Sequence, residues 1–172
     1  MEIFGTVIAA SALGLTVWQG CLTRKHNRLS VTPHLDWHIN TRWTPQGATF
    51  SFVLKNTGIG PAIIKSRTFH LDGKPFIPEG DQSKIIEQIA PQCFSGYNHS
   101  VAHASIPGID TAILPSHEVC VAEIAFSGLA QSAEKEIKGI FGRVDLDIGY
   151  ESFYRECFFF TTREQAGRMK KA

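Results

Sequence analysis

The chain is 172 residues long, enough for one ordinary domain with length to spare. Its 17 Lys and Arg against 16 Asp and Glu give a net charge of +1, which argues against a nucleic-acid binder driven by bulk charge. With 43% hydrophobic and 19% charged residues the composition is not that of a disordered chain. Four Cys are too few for a disulfide framework, and 15 Gly, 8 Pro and 12 Phe point to strands and turns rather than a helical bundle.

From Ile3 to Leu22 there is no charged side chain. At about 1.5 Å per residue such a helix covers roughly 30 Å, the hydrocarbon thickness of a bilayer. Phe4, Val7, Ile8, Leu13, Leu15, Val17 and Trp18 supply its apolar surface, with Trp18 toward the end where an indole favours the headgroup layer. A cleaved signal peptide calls for a basic n-region, and only Met1 and Glu2 precede the run. A buried core helix seldom stays uncharged over this length. The segment 1–23 is therefore expected to be a transmembrane anchor contacting membrane lipid. Arg24, Lys25 and Arg28 follow it in a basic linker, 24–30, with no basic side chain before it. The positive-inside rule then puts the amino terminus outside an inner (plasma) membrane and the remaining domain, 31–162, in the cytoplasm. That domain is acidic: residues 29–162 hold ten Lys and Arg against fourteen Asp and Glu. A basic tail, 163–172, closes the chain, either solvated or held against anionic headgroups.

The domain reads as short strands of period two, about seven or eight of them, the pattern of an antiparallel immunoglobulin-like β-sandwich with one or two short helices. Val31, Pro33, Leu35, Trp37 and Ile39 alternate with Thr32, His34, Asp36 and His38. Phe50, Phe52 and Leu54 form a second face, and Asn56-Thr57-Gly58-Ile59-Gly60-Pro61-Ala62 follows, its glycines read as turn residues with positive φ. Ala62–Leu71 is strand-like, and Asp72-Gly73 predicts a tight turn into Lys74–Ile77. Asp81 is placed to cap a helical turn in which Ile85, Ile86 and Ile89 share a face. Residues 91–115 show no usable period and are expected to be an irregular loop. Cys120, Ala122, Ile124 and Phe126 make another strand face. Ser132 is placed to cap a helix over Ala133–Ile140, with Glu134 and Lys138 forming an i,i+4 pair. Val144, Leu146, Ile148 and Tyr150 give the cleanest alternation, and Glu151-Ser152 turns into a partner strand, Phe153–Thr161. Within it Phe158-Phe159-Phe160 cannot turn all three rings inward.

Few groupings suggest chemistry. His34, Asp36 and His38 would project from one strand face and form a weak metal site needing ligands from other strands. His99 and His103 lack the helical context of a metal pair, and His117-Glu118 has Val121 where a zinc-protease motif needs His. The Gly58-x-Gly60 pair is followed by Pro61 and a strand, not by the helix of a dinucleotide site, and there is no P-loop or GxSxG elbow. Ser95, Ser100, His99 and Asp110 are the nearest thing to a triad. Cys120 and Cys157 read as buried hydrophobes, or as an intersheet disulfide in an oxidising compartment. Neither cofactor nor catalytic residue is assigned.

The run from Arg24 through Asn27, Pro33 and His34 to Leu35, together with the Asn56–Ala62 motif, resembles a group of small bacterial proteins with one amino-terminal membrane helix and a β-rich domain. The resemblance covers about the first 75 residues. It implies a single-pass inner-membrane protein and brings no activity, ligand or catalytic residue with it. The expected function is an interaction module, an accessory or structural subunit of a bacterial inner-membrane assembly. Its partner is a membrane protein or a second copy of the chain. A ligand- or metal-sensing domain using the strand histidines and the 91–115 loop is the alternative.

Overall fold

The alternation after residue 30 becomes two antiparallel sheets in the computed structural model, which describes residues 2–163. In chain order, α1 (Glu2–Leu29) leads into β1 (Leu35–Thr44), β2 (Gly47–Asn56), β3 (Ala62–Leu71) and β4 (Lys74–Pro75). Then come α2 (Ile85–Cys93), β5 (His99–Ala104), β6 (Ala112–Ile113), β7 (Glu118–Ser127), α3 (Glu134–Phe141), β8 (Val144–Glu151) and β9 (Cys157–Thr161). One sheet has the order β1-β2-β7-β5; the other has β4-β3-β8-β9, with β6 added at the start of β3.

The inner faces follow the pleat. Phe50, Phe52 and Leu54 of β2 meet Leu146, Ile148 and Tyr150 of β8 across the core, all buried. An aromatic cluster fills one half of it: Phe141 lies 4.3 Å from Phe52, 4.8 Å from Phe94 and 5.4 Å from Phe50 between ring centroids. Helices α2 and α3 bring Phe94 and Phe141 into that cluster, and Ile85, Ile86 and Ile89 are buried as their spacing predicts. Asp81 does cap the turn before α2, accepting from the Ser83 N–H at 2.9 Å, and that bond holds its carboxyl below the usual range. The Asp72-Gly73 turn has φ of 52° and 78°, the left-handed pair a two-residue hairpin needs. The Glu134–Lys138 pair forms at 2.6 Å.

Several expectations are corrected. Ser132 caps nothing; it lies in a 3-10 turn, Gln131–Ala133, and α3 starts at Glu134 without a side-chain cap. The segment 91–115 is not one irregular run, because β5 pairs with β7 and β6 with β3 inside it. The partner strand of β8 starts at Cys157, not Phe153. Residues 152–156 form a turn in which the Ser152 N–H donates to the Glu156 carbonyl at 2.9 Å. Cys120 does not share the face of Ala122, Ile124 and Phe126: Phe52 pairs Ala122 while Val53 pairs Cys120, so Val121 is an extra residue that shifts the parity. Cys120 is half-buried, Cys157 is exposed, and both are free thiols. Of the phenylalanine run, Phe160 is buried, Phe158 stacks on Tyr150 at 5.5 Å, and Phe159 points outward at 68% exposure. The basic tail falls, beyond Arg163, outside the described residues.

Candidate functional site

Two places on the molecule combine features that core packing does not explain. They lie toward opposite ends of the sandwich.

The first is the end at which α1 arrives. There β1 and β3 begin and β2 and β8 end. Asn56, the last residue of β2, is fully buried and uses its whole amide. Its Oδ1 accepts from the N–H groups of His34 (3.2 Å) and Gly58 (3.0 Å), and its Nδ2 donates to the carbonyls of Gly60 (2.7 Å) and Ile113 (2.9 Å). Around it the linker is laced to the β2–β3 loop: Ile59 N–H donates to Thr32 O at 3.1 Å and Thr57 N–H to His34 O at 2.7 Å. Arg28, in the last turn of α1, pairs with Glu156 of the β8–β9 turn. Gly58 and Gly60 do not have positive φ, contrary to the turn reading. They are glycine because a Cβ at Gly58 would stand 2.3 Å from His34 N, and one at Gly60 1.7 Å from Val31 O. The motif is a clamp for the linker that follows α1.

Beyond the clamp, this end of the sandwich presents Ile59, Ile109, Leu114, Phe153 and Tyr154 on four exposed turns, with Ile59 72% and Phe153 71% accessible. The 105–111 loop is held by Arg67, whose guanidinium donates to the Ile106 carbonyl at 3.2 Å, and by Lys65, which bonds Asp110 at 2.8 Å. On α1 itself, Phe4, Val7, Ile8, Leu13, Leu15, Val17 and Trp18 are all more than half exposed, and so is Leu22. No face of the helix rests on the domain through these residues. The hydroxyls of Ser11 and Thr16 donate back to the carbonyls of Val7 and Ala12 at 2.8 Å, which satisfies them without water. Among the described residues no helix is long and apolar enough to cross a membrane. The helix is 28 residues and about 42 Å long.

The second place is a cleft of about 470 Å³ between the sheets, on the side of the aromatic cluster. Its floor is Phe52, Phe94, Phe141, Ile124 and Leu146; α2 contributes Ile86 and Ile89 to one wall. At the mouth, Trp37 and Ile39 of β1 and Val144 of β8 face inward yet stay half-exposed, because the sheets do not close over them. The polar rim is His38, Lys135, Lys138, Asp145 and Thr162. Asp145 is already engaged, accepting from Thr162 Oγ1 at 3.3 Å and lying 3.6 Å from Arg163.

The candidate metal residues are not brought together. His34 lies before β1 begins, so only Asp36 and His38 are on that strand. Among the described residues no group of three or more His, Cys, Asp and Glu is arranged to hold a metal. His99 has a packing role: its Nδ1 is 2.9 Å from the Tyr97 carbonyl and its ring lies against Phe94 and Phe126. Asp110, its imagined triad partner, is at the other end of the sandwich, bonded through its N–H to Ile64 O. Burial pushes the Cys93 and Cys120 thiols up, away from the thiolate a nucleophile needs. Both the clamp and the cleft were missed in the sequence. The spacing of Asn56, Gly58 and Gly60 was the available signal for the first.

No family model, curated protein or solved structure matches this chain.

Proposed function

We propose that the protein is a membrane-anchored β-sandwich interaction module, an accessory or structural subunit of a bacterial inner-membrane assembly, with its amino terminus outside and its domain in the cytoplasm. The observation that carries this reading is α1: a 28-residue helix, uncharged from Ile3 to Leu22, whose described large apolar side chains are more than half exposed. In water so much exposed apolar surface is unfavourable, and lipid removes the cost. The modest apolarity of the helix fits packing against another helix, and Gly5, Ala9, Ala12 and Thr16 form a small-residue stripe in the sequence suited to that. The partner is a membrane protein or a second copy. Arg24, Lys25 and Arg28 set the orientation. The exposed Ile59, Phe153 and Tyr154, beside the point where α1 joins the domain, suit the headgroup layer.

The strand order also supports an immunoglobulin-like sandwich: labelled A to G with β6 omitted, the sheets read A-B-E-D and C′-C-F-G. Such domains serve as binding scaffolds as often as anything else, so the function is argued from the anchor and not from the fold.

The test is extraction of native membranes at alkaline pH, followed by gentle solubilisation and capture through a carboxyl-terminal tag. The full chain is expected to stay with the membrane pellet, whereas a Leu13→Arg, Val17→Arg variant moves to the supernatant. Release of the unaltered chain by alkali overturns the anchor. Recovery of the chain alone and monomeric, after crosslinking and in several detergents, overturns the subunit role.

A further inference from the structure

We infer that the inter-sheet cleft is a binding site for a single-chain anionic amphiphile, a fatty acid or a molecule of that build. Its acyl chain would lie between the sheets and its head group at Lys135 and Lys138. Sandwich interiors are ordinarily packed to the density of organic crystals, with few voids larger than a water molecule. A cleft of about 470 Å³ falls instead within the size range of small-molecule sites, about 300–1,000 Å³. Its inner surface is aromatic and aliphatic throughout, and a cavity of that kind holds apolar matter in preference to water. The half-exposed, inward-facing Trp37, Ile39 and Val144 show where a chain would enter, since these are core positions in the pleat that the described residues cover only in part.

The rim decides the head group. Asp145 accepts from Thr162 Oγ1 and lies 3.6 Å from Arg163, which also pairs with Asp147 at 2.9 Å. Lys138 shares its charge with Glu134 at 2.6 Å, and Lys135 has no ion-pair partner among the described residues. The two lysines stand one turn apart on α3 where it lines the cleft, and Lys135 leaves a positive charge there that no described carboxylate pairs. An anionic head satisfies it, a neutral one wastes it and a cationic one is repelled.

The test uses the full chain in phosphatidylcholine nanodiscs and a long-chain fatty acid carrying a photoactivatable diazirine on its tail, with labelled residues mapped by mass spectrometry. Label is expected on Trp37, Ile86, Ile89 or Leu146, in addition to α1, and the cleft label is expected to be competed by unlabelled fatty acid. Lys135→Glu with Lys138→Glu is expected to lower the cleft label about tenfold, as loss of charge-assisted contacts implies, and to leave α1 labelling unchanged. A corresponding diazirine alcohol should label the cleft weakly and ignore the charge reversal. Gly139→Phe supplies a plug: Gly139 lines the mouth, and a Cβ added there meets nothing within 4 Å, so the fold tolerates it while the ring blocks entry. Cleft labelling should vanish in that variant with the circular dichroism spectrum unchanged. Label confined to α1 and the Phe153–Tyr154 turn overturns the site. Equal labelling by acid and alcohol, or no effect of charge reversal, overturns the anionic head. Absence of α1 label with cleft label retained would count against the anchor and leave the cleft standing.

Discussion

Replacing Asn56 should loosen the join between helix and domain more than any other single polar change. Asn56→Ala removes four hydrogen bonds from a fully buried position and leaves the Gly60 and Ile113 carbonyls without that donor. Each bond contributes about 1 kcal/mol net, and water can reach the part-buried His34 and Gly58 N–H groups. The expected loss is therefore about 2 kcal/mol, or a fall in Tm of about 4–8 °C for a chain of this size. Asn56→Asp sharpens the argument. Its Oδ1 would still accept from His34 and Gly58, but the second oxygen would face two carbonyls at 2.7 and 2.9 Å where Nδ2 now donates. Only a protonated carboxyl can donate there, so burial and the carbonyl dipoles raise its folded-state pKa above the unfolded value of about 3.9. Well below pH 3.9 both states hold the proton, and the single O–H restores a donor to one of the two carbonyls. As pH rises above it, the unfolded state releases a proton that the folded state keeps. Stability then falls by about 1.4 kcal/mol per pH unit until the folded pKa is passed. Urea unfolding of the full chain in mild detergent, followed by Trp fluorescence at pH 4 and 7, measures both effects. An Asn56→Ala loss below about 1 kcal/mol, or an Asn56→Asp variant equally stable at the two pH values, would refute the clamp.

Two further outcomes are expected. Gly60→Ala would force a Cβ to within 1.7 Å of the Val31 carbonyl, so the linker must lift away. Limited proteolysis should then cut between Ser30 and His34 at least several times faster than in the wild type, with the sheets still protected. Phe141→Ala removes the ring that joins Phe50, Phe52 and Phe94, at a cost of about 3–5 kcal/mol read from the urea midpoint.

Local chemistry made much of the β domain legible. The Asp72-Gly73 hairpin, the Asp81 cap, the Glu134–Lys138 pair and the alternation of Leu146, Ile148 and Tyr150 each depend on residues within a few positions of one another. β5 is hidden in the sequence because its three polar and three small or apolar side chains do not alternate and none is buried, and it becomes a strand only by pairing with β7. Cys120 was put on the wrong face because the extra residue at Val121 exists only in the register against β2.

The uncharged run from Ile3 to Leu22, the basic cluster after it and the alternation of the longer strands were determined by the sequence itself, since composition and period are local properties, whereas the seven or eight strands expected became nine among the described residues. What Gly58 and Gly60 are for, where Asn56 places its four hydrogen bonds, and the opening between the sheets were decided only by the tertiary structure. The glycines are required by a backbone more than twenty residues upstream, and the cleft arises from how far two sheets stand apart. Neither the approach of a distant segment nor the spacing of two layers has a period along the chain.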